Sequence, residues 1–324
     1  MEIFLNFLIL AAGLILVIKG ADFLVDGASS LAVKMGVPQL VIGLTIVAFG
    51  TSMPELIVNL SASFEGKNQI VLGNILGSCI YNILLILGIG AIITPLSIKS
   101  STKWKEIPMA FGSILLIFIL ANTGFTKELG FTKDLYITRL ESILLLLSFA
   151  AFMWYTIHIA LSDNASSEEE PKYNSSLHTM LLIIAGFASL LLGGKFTVEG
   201  AVHIATVLNV SEKLIALTIV SIGTSLPELA TSAVAAYKKQ ADIAVGNVIG
   251  SNIFNILLIL GLSSVVTPIA YPAELNIDIL VLGIATVFLF LVTFIKDKNV
   301  VGRPTGIIFV ASAVIYTIYL IFRG

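Results

Sequence analysis

The stretch Gly50-Thr51-Ser52-Met53-Pro54-Glu55 recurs in this chain as Gly223-Thr224-Ser225-Leu226-Pro227-Glu228. The residues downstream recur with it: Gly73-Asn74-Ile75-Leu76-Gly77-Ser78 and Asn82 return as Gly246-Asn247-Val248-Ile249-Gly250-Ser251 and Asn255. Gly50 and Gly223, Glu55 and Glu228, and Pro95 and Pro268 are all 173 residues apart, and the register reaches back to Gly27 with Gly200. Asn82 to Gly88 is repeated letter for letter as Asn255 to Gly261. Hydropathy alone does not reproduce Gly, Asn, Ser and Pro in register, so this is duplication. The chain must fold as two like halves. Each half sets an acid beside a proline inside apolar sequence, a placement costly enough to imply a purpose.

The apolar setting is general. Of 324 residues, 57% are hydrophobic and only 12% charged, whereas soluble domains carry about a quarter charged residues. Apolar runs of roughly 20 residues fit membrane helices rather than barrel strands. The predicted fold is an all-α integral membrane protein with ten transmembrane helices, near 3–32, 38–63, 69–94, 104–123, 136–161, 177–208, 212–237, 242–267, 275–295 and 303–322. The N-terminus has neither a basic n-region nor a small-residue cleavage site, so its first run reads as a retained helix. A net charge of −2 gives no reason to expect nucleic acid or an anionic partner. The single cysteine, Cys79, reads as a small packing residue.

The polar stretch 162–176 divides the chain into repeats at 1–161 and 177–324, with the motifs in 40–95 and 213–268. Five spans per half is an odd number, so the second half starts on the opposite side of the membrane. The halves are then inverted-topology repeats, a plan of many secondary transporters. One side collects ten Lys and Arg in its loops, from Lys34 to Arg303, against six on the other. The positive-inside rule makes the richer side, with the linker, cytoplasmic and leaves both termini extracellular. Asp26 and Glu199 also correspond at the same offset and read as solvated helix ends.

A proline inside a helix lacks an N–H and crowds the carbonyl four residues earlier, which belongs here to Gly50 or Gly223. The segments should open at Gly-Thr-Ser-x-Pro and expose carbonyl oxygens where Thr51, Ser52, Thr224 and Ser225 add hydroxyls. Open backbone at membrane depth is tolerated only inside protein or along a cavity. Asn74, Ser78 and Asn82 share one helical face at i, i+4 and i+8, as do Asn247, Ser251 and Asn255. Asn74 and Asn247 read equally as interhelical bonds or ion contacts. The inventory is two carboxylates, Glu55 and Glu228, many neutral oxygens and no convergent positive side chain. It suits hard cations; calcium takes six to eight oxygens in an irregular shell. The absence of a Cys or His cluster argues against zinc and copper.

At these residues the chain resembles the cation/calcium exchanger superfamily, in its prokaryotic sodium/calcium exchanger branch. The two Gly-Thr-Ser-x-Pro-Glu and Gly-Asn-x-x-Gly-Ser pairs are similar to that family's α-repeats. The resemblance implies a 5+5 inverted-repeat fold whose four central helices cage the ions. It implies that Glu55 and Glu228 are shared between calcium and sodium sites, with Thr51 and Thr224 alongside. It implies one sodium site from Ser52, Ser78 and the Ala48 carbonyl, and a counterpart from Ser225, Ser251 and the Ser221 carbonyl. Asn82 and Asn255 would stand at the middle. Where the family's potassium-dependent branch carries Asp, this chain has Asn255, which implies potassium independence.

The expected function is Na+/Ca2+ antiport in a plasma membrane, by alternating access. It requires no cofactor beyond the transported ions and no obligate protein partner, and suits a monomer in the lipid bilayer. A Ca2+/H+ exchanger is the alternative, and a cation channel the alternative from another class. Neither His-Glu-x-x-His nor Gly-x-Ser-x-Gly occurs, which speaks against an enzyme.

Overall fold

In a computed structural model, residues 2–123, 136–162, 175–208, 221–295 and 299–323 are described. The linker expected at 162–176 and the start of the seventh expected span, from 212, lie largely outside them.

The chain is mostly helical. A long first helix, α1 (Glu2–Met35), is followed by α2 (Gln39–Thr51) and α3 (Met53–Phe64), which meet at a 47° bend. Next come α4 (Val71–Ile93), β1 (Leu96–Ser97), α5 (Thr102–Asn122), β2 (Tyr136–Ile137) and α6 (Arg139–Ser162). The second half has α7 (Ser176–Val207), α8 (Ser221–Thr224), α9 (Leu226–Tyr237), α10 (Ala241–Val266), β3 (Ile269–Ala270), α11 (Ala273–Val292), β4 (Val300–Val301) and α12 (Arg303–Arg323). Eight of these helices are long and apolar enough to cross a membrane, or nine with α2 and α3 as one broken span, among the described residues.

Burial sorts the helices into layers. The most apolar stretches of α4 and α10 are 78% and 94% buried, whereas those of α6 and α12 are 17% and 22% buried. So α4 and α10 form the centre, and the outer helices present exposed Phe7, Leu147, Trp154, Leu181, Ile284 and Ile315 to the surroundings. An apolar girdle of that extent belongs in lipid.

Two devices interlock the halves. The short strand β1 pairs with β4, and β3 pairs with β2, so each ladder joins one half to the other. Arg139 Nε donates to the Val265 carbonyl at 3.0 Å, and Arg303 Nε donates to the Ile92 carbonyl at 3.0 Å. These arginines satisfy carbonyls that a helix C-terminus leaves unpaired. The last helix of each half therefore packs on the other half, α6 on α10 and α12 on α4.

The long helices α1 and α7 pack along nearly their whole length. Glycines spaced by seven, Gly13, Gly20 and Gly27 on one and Gly186, Gly193 and Gly200 on the other, line the seam. A Cβ at Gly193 would lie 2.7 Å from the Val17 nitrogen and 2.8 Å from the Gly13 carbonyl oxygen. Gly200 faces Leu10 and Gly186 faces Leu24, so the two helices run antiparallel.

At the far end of this pair the expectation for Asp26 fails. Asp26 is buried, and Lys238 at the end of α9 bridges it at 2.7 Å and Asp22 at 2.5 Å. Its counterpart Glu199 pairs with Lys195 on its own helix, and is half exposed. An acid this close to the bundle interior keeps its charge by pairing rather than by solvation.

Candidate ion-binding site

The expected opening forms, one residue earlier than a proline kink alone would put it. Ser52 (φ −83°, ψ 7°) and Ser225 (φ −90°, ψ 8°) leave helical geometry, and Pro54 and Pro227 then sit in the first turn of α3 and α9, where a missing N–H costs nothing. The acids Glu55 and Glu228 fall in the same first turns, the end of a helix that favours negative charge. Ala48 keeps part of its helical bonding: its carbonyl accepts the Ser52 N–H at 3.0 Å. It also accepts from the Thr51 hydroxyl at 3.3 Å. Ser221 opens α8 directly after a stretch outside the described residues.

The two motifs meet. Ser52 Oγ donates to Glu228 Oε1 at 2.9 Å, and Ser225 Oγ donates to Glu55 Oε1 at 3.2 Å. Because Ser52 and Ser225 are repeat counterparts, as are the two glutamates, the bonds are reciprocal. Ser78 stands beside Glu55, 3.4 Å from Ser225 Oγ. Thr51 Oγ1 lies 3.0 Å from Asn247 Oδ1. Asn247 is engaged further with Ser232 and the Glu228 carbonyl, so it acts as an interhelical tie. Thr51, Ser52, Glu55, Ser78, Asn82, Ser225, Glu228, Ser251 and Asn255 are all buried.

What these groups leave unsatisfied is more telling. Glu55 Oε2, Glu228 Oε2, Asn82 Oδ1, Ser251 Oγ and both amide atoms of Asn255 have no hydrogen-bond partner among the described residues. Neither glutamate joins an ion pair among the described residues. Buried polar atoms are ordinarily satisfied, and an unpaired buried carboxylate is costly. Two such carboxylates close enough to repel each other call for a cation between them. The donor set is oxygen with no gathering of three or more His, Cys, Asp or Glu among the described residues. It fits a hard cation and not a thiophilic one.

The two repeats differ in exposure at the site. A cleft of about 480 Å³ lined by Pro54, Val198, Gly223, Thr224 and Pro227 reaches the second motif. Thr224 is half-buried there, while its counterpart Thr51 is fully buried.

One inner polar residue carries no motif of its own. Asn252 is buried and bonded to Asn82, and its signal lay in the repeat itself: the 173-residue register matches it with Cys79, a mismatch inside a closely matching stretch.

The family described as sodium/calcium exchanger protein matches residues 5–158 and 178–322. The chain belongs to the sodium/calcium exchanger family. This exchanger-family chain is 33% identical to the sodium/calcium exchanger MaX1 of Methanosarcina acetivorans, over 98% of this chain and 99% of the relative. It is 25% identical to the Ca2+/H+ antiporter ChaA of Bacillus subtilis, over 72% of this chain and 70% of that one. Its fold matches the solved sodium-calcium exchanger NCX_Mj soaked with 2.5 mM Na+ and 10 mM Sr2+, with a TM-score of 0.82 and 32% identity, covering 98% and 99% of the two chains. The exchanger family is one of multi-pass membrane antiporters, not of enzymes.

Proposed function

We propose that this protein exchanges Na+ for Ca2+ by alternating access, without K+, through a cage built on Glu55 and Glu228. The observation that carries the reading is the pair of reciprocal serine–glutamate bonds, which leaves one oxygen of each carboxylate unpaired among the described residues of the interior. Calcium, or two or more sodium ions, supplies the missing positive charge in turn. Thr51 and Thr224 flank the calcium position. Ser52, Ser78 and the Ala48 carbonyl form a sodium position on one side, with Ser225, Ser251 and the Ser221 carbonyl on the other. Asn82 and Asn255 stand between, and the neutral Asn255 limits the central charge to two carboxylates, consistent with potassium independence.

The ten-span, inverted-repeat plan is supported by the antiparallel α1–α7 pair and by the reciprocal contacts between halves. Those two helices slide over the cage to open each side alternately, with the cleft at Thr224 as one path. Both termini face outward, and calcium leaves the cell when external sodium is high. The protein works as a monomer in the bilayer.

The test is calcium uptake into inverted vesicles driven by a sodium gradient. Glu55→Gln and Glu228→Gln should each abolish it; uptake at the unsubstituted rate in either would sink the site assignment. The likeness to a Ca2+/H+ antiporter keeps one second reading open: a pH gradient that replaces sodium as the driver would favour proton exchange. Flux with no counter-ion dependence would favour a channel.

A further inference from the structure

On the interior face between α4 and α10, three side chains form a relay whose direction is dictated at one end. The backbone carbonyl of Cys79 can only accept, and Asn252 Nδ2 donates to it at 3.2 Å. The Asn252 amide is thereby oriented, with Oδ1 turned towards Asn82. Asn82 must answer with its own NH2, and does so at 2.9 Å. Its Oδ1 is left without a protein partner. All three residues are buried. Turning the Asn82 amide over would set two oxygens against each other and bury an unmade bond.

The same relay is missing in the other half. The counterpart of Asn82 is Asn255, and the counterpart of Asn252 is Cys79, 173 residues away. Asn255 has the Cys79 thiol as a neighbour, and neither of its amide atoms makes a hydrogen bond of standard geometry among the described residues. A thiol is a weak donor and acceptor and does not impose an amide orientation. One of the two central asparagines is preset, and nothing comparable fixes the other among the described residues.

We infer that Asn252 is a positioning residue that locks the Asn82 amide with its oxygen, rather than its NH2, towards the transported cation. The inference rests on the reading that Asn82 borders the ion cage. It is the outer-shell logic of metal sites, in which a partner that touches no ion sets the orientation of a ligand that does, and losing the partner typically weakens affinity about 10–100-fold. The asymmetry has a use: a fixed oxygen favours a cation at the centre, while a rotatable amide at Asn255 can turn oxygen or NH2 inward as the load changes.

The test uses the full chain in proteoliposomes, with sodium-driven calcium uptake measured over a range of calcium. Asn252→Ala should raise the calcium KM about tenfold or more, with a smaller change in maximal rate. Asn82→Asp presents an oxygen in either orientation, so Asn82→Asp/Asn252→Ala should bring the KM back to within about threefold of the unsubstituted protein. A double variant as impaired as Asn252→Ala, or an unchanged KM in Asn252→Ala, would overturn the inference. If neither Asn252→Ala nor Asn252→Ser gave folded protein, Asn252 would be a packing element and the inference would equally fail. Glu55→Gln separates the two levels: retained uptake there removes the cage itself, whereas lost uptake without rescue by Asn82→Asp removes only the orientation role.

Discussion

At the scale of single residues, the two repeats meet the same demands with different side chains. The turn after α3 places Gly66 at φ 72°, and the matching turn after α9 places Lys239 at φ 61°. A left-handed conformation costs a non-glycine residue about 1–2 kcal/mol, and glycine is free of that strain. Lys239→Gly should therefore stabilise the protein, by up to about 1 kcal/mol once the extra freedom of the unfolded chain is counted. Thermal unfolding in detergent reads it, and a lowered midpoint would contradict the strain. Inside the cage the reciprocal bonds make a second prediction. Ser52→Ala and Ser225→Ala each remove the bond that crosses between the repeats to a glutamate, so each should weaken ion binding, and by similar factors. A large loss from one with none from the other would show that the two halves do not share the load.

At the scale of elements, the α1–α7 seam and its anchor to α9 are the sensitive parts. Gly193→Ala would drive a methyl into the backbone of Val17 and Gly13, an overpacking that costs typically about 1–3 kcal/mol. It should lower the unfolding temperature and slow exchange together, whereas the same change at Gly112, which meets nothing within 4 Å, should do neither. Lys238 ties α9 to Asp22 and Asp26 on α1. Lys238→Met leaves the buried Asp26 without this partner, a loss on the order of 1–3 kcal/mol, and Lys238→Arg should recover much of it. Stability of Lys238→Met equal to that of the unsubstituted protein would show that Asp26 draws its charge balance from elsewhere.

At the scale of the whole molecule, the interlocked halves make a topological prediction. If both termini face outward, as proposed, Phe322→Cys should react with a membrane-impermeant thiol reagent applied to intact cells. Lys239→Cys should react only in inverted vesicles. Cys79 is buried and provides a silent background. Labelling of both positions from the same side would refute the three crossings by α10, α11 and α12 that separate them.

Helical membrane architecture, the duplication and the chemistry of the donor set could all be read from the residues. Apolar run length, a constant 173-residue offset and acids beside prolines are properties of the chain itself, and each forces its consequence through a local physical rule. The segments that carry the buried motif residues were also legible, because polar groups in apolar spans have few places to go. The pairings were not. That Ser52 serves the opposite glutamate, that Asn252 presets Asn82, and that Asp26 is held by Lys238 depend on which faces meet across the bundle. Side-chain partners chosen across more than 140 residues of sequence are set by helix packing and crossing. No local periodicity encodes them, so only the tertiary structure could decide them.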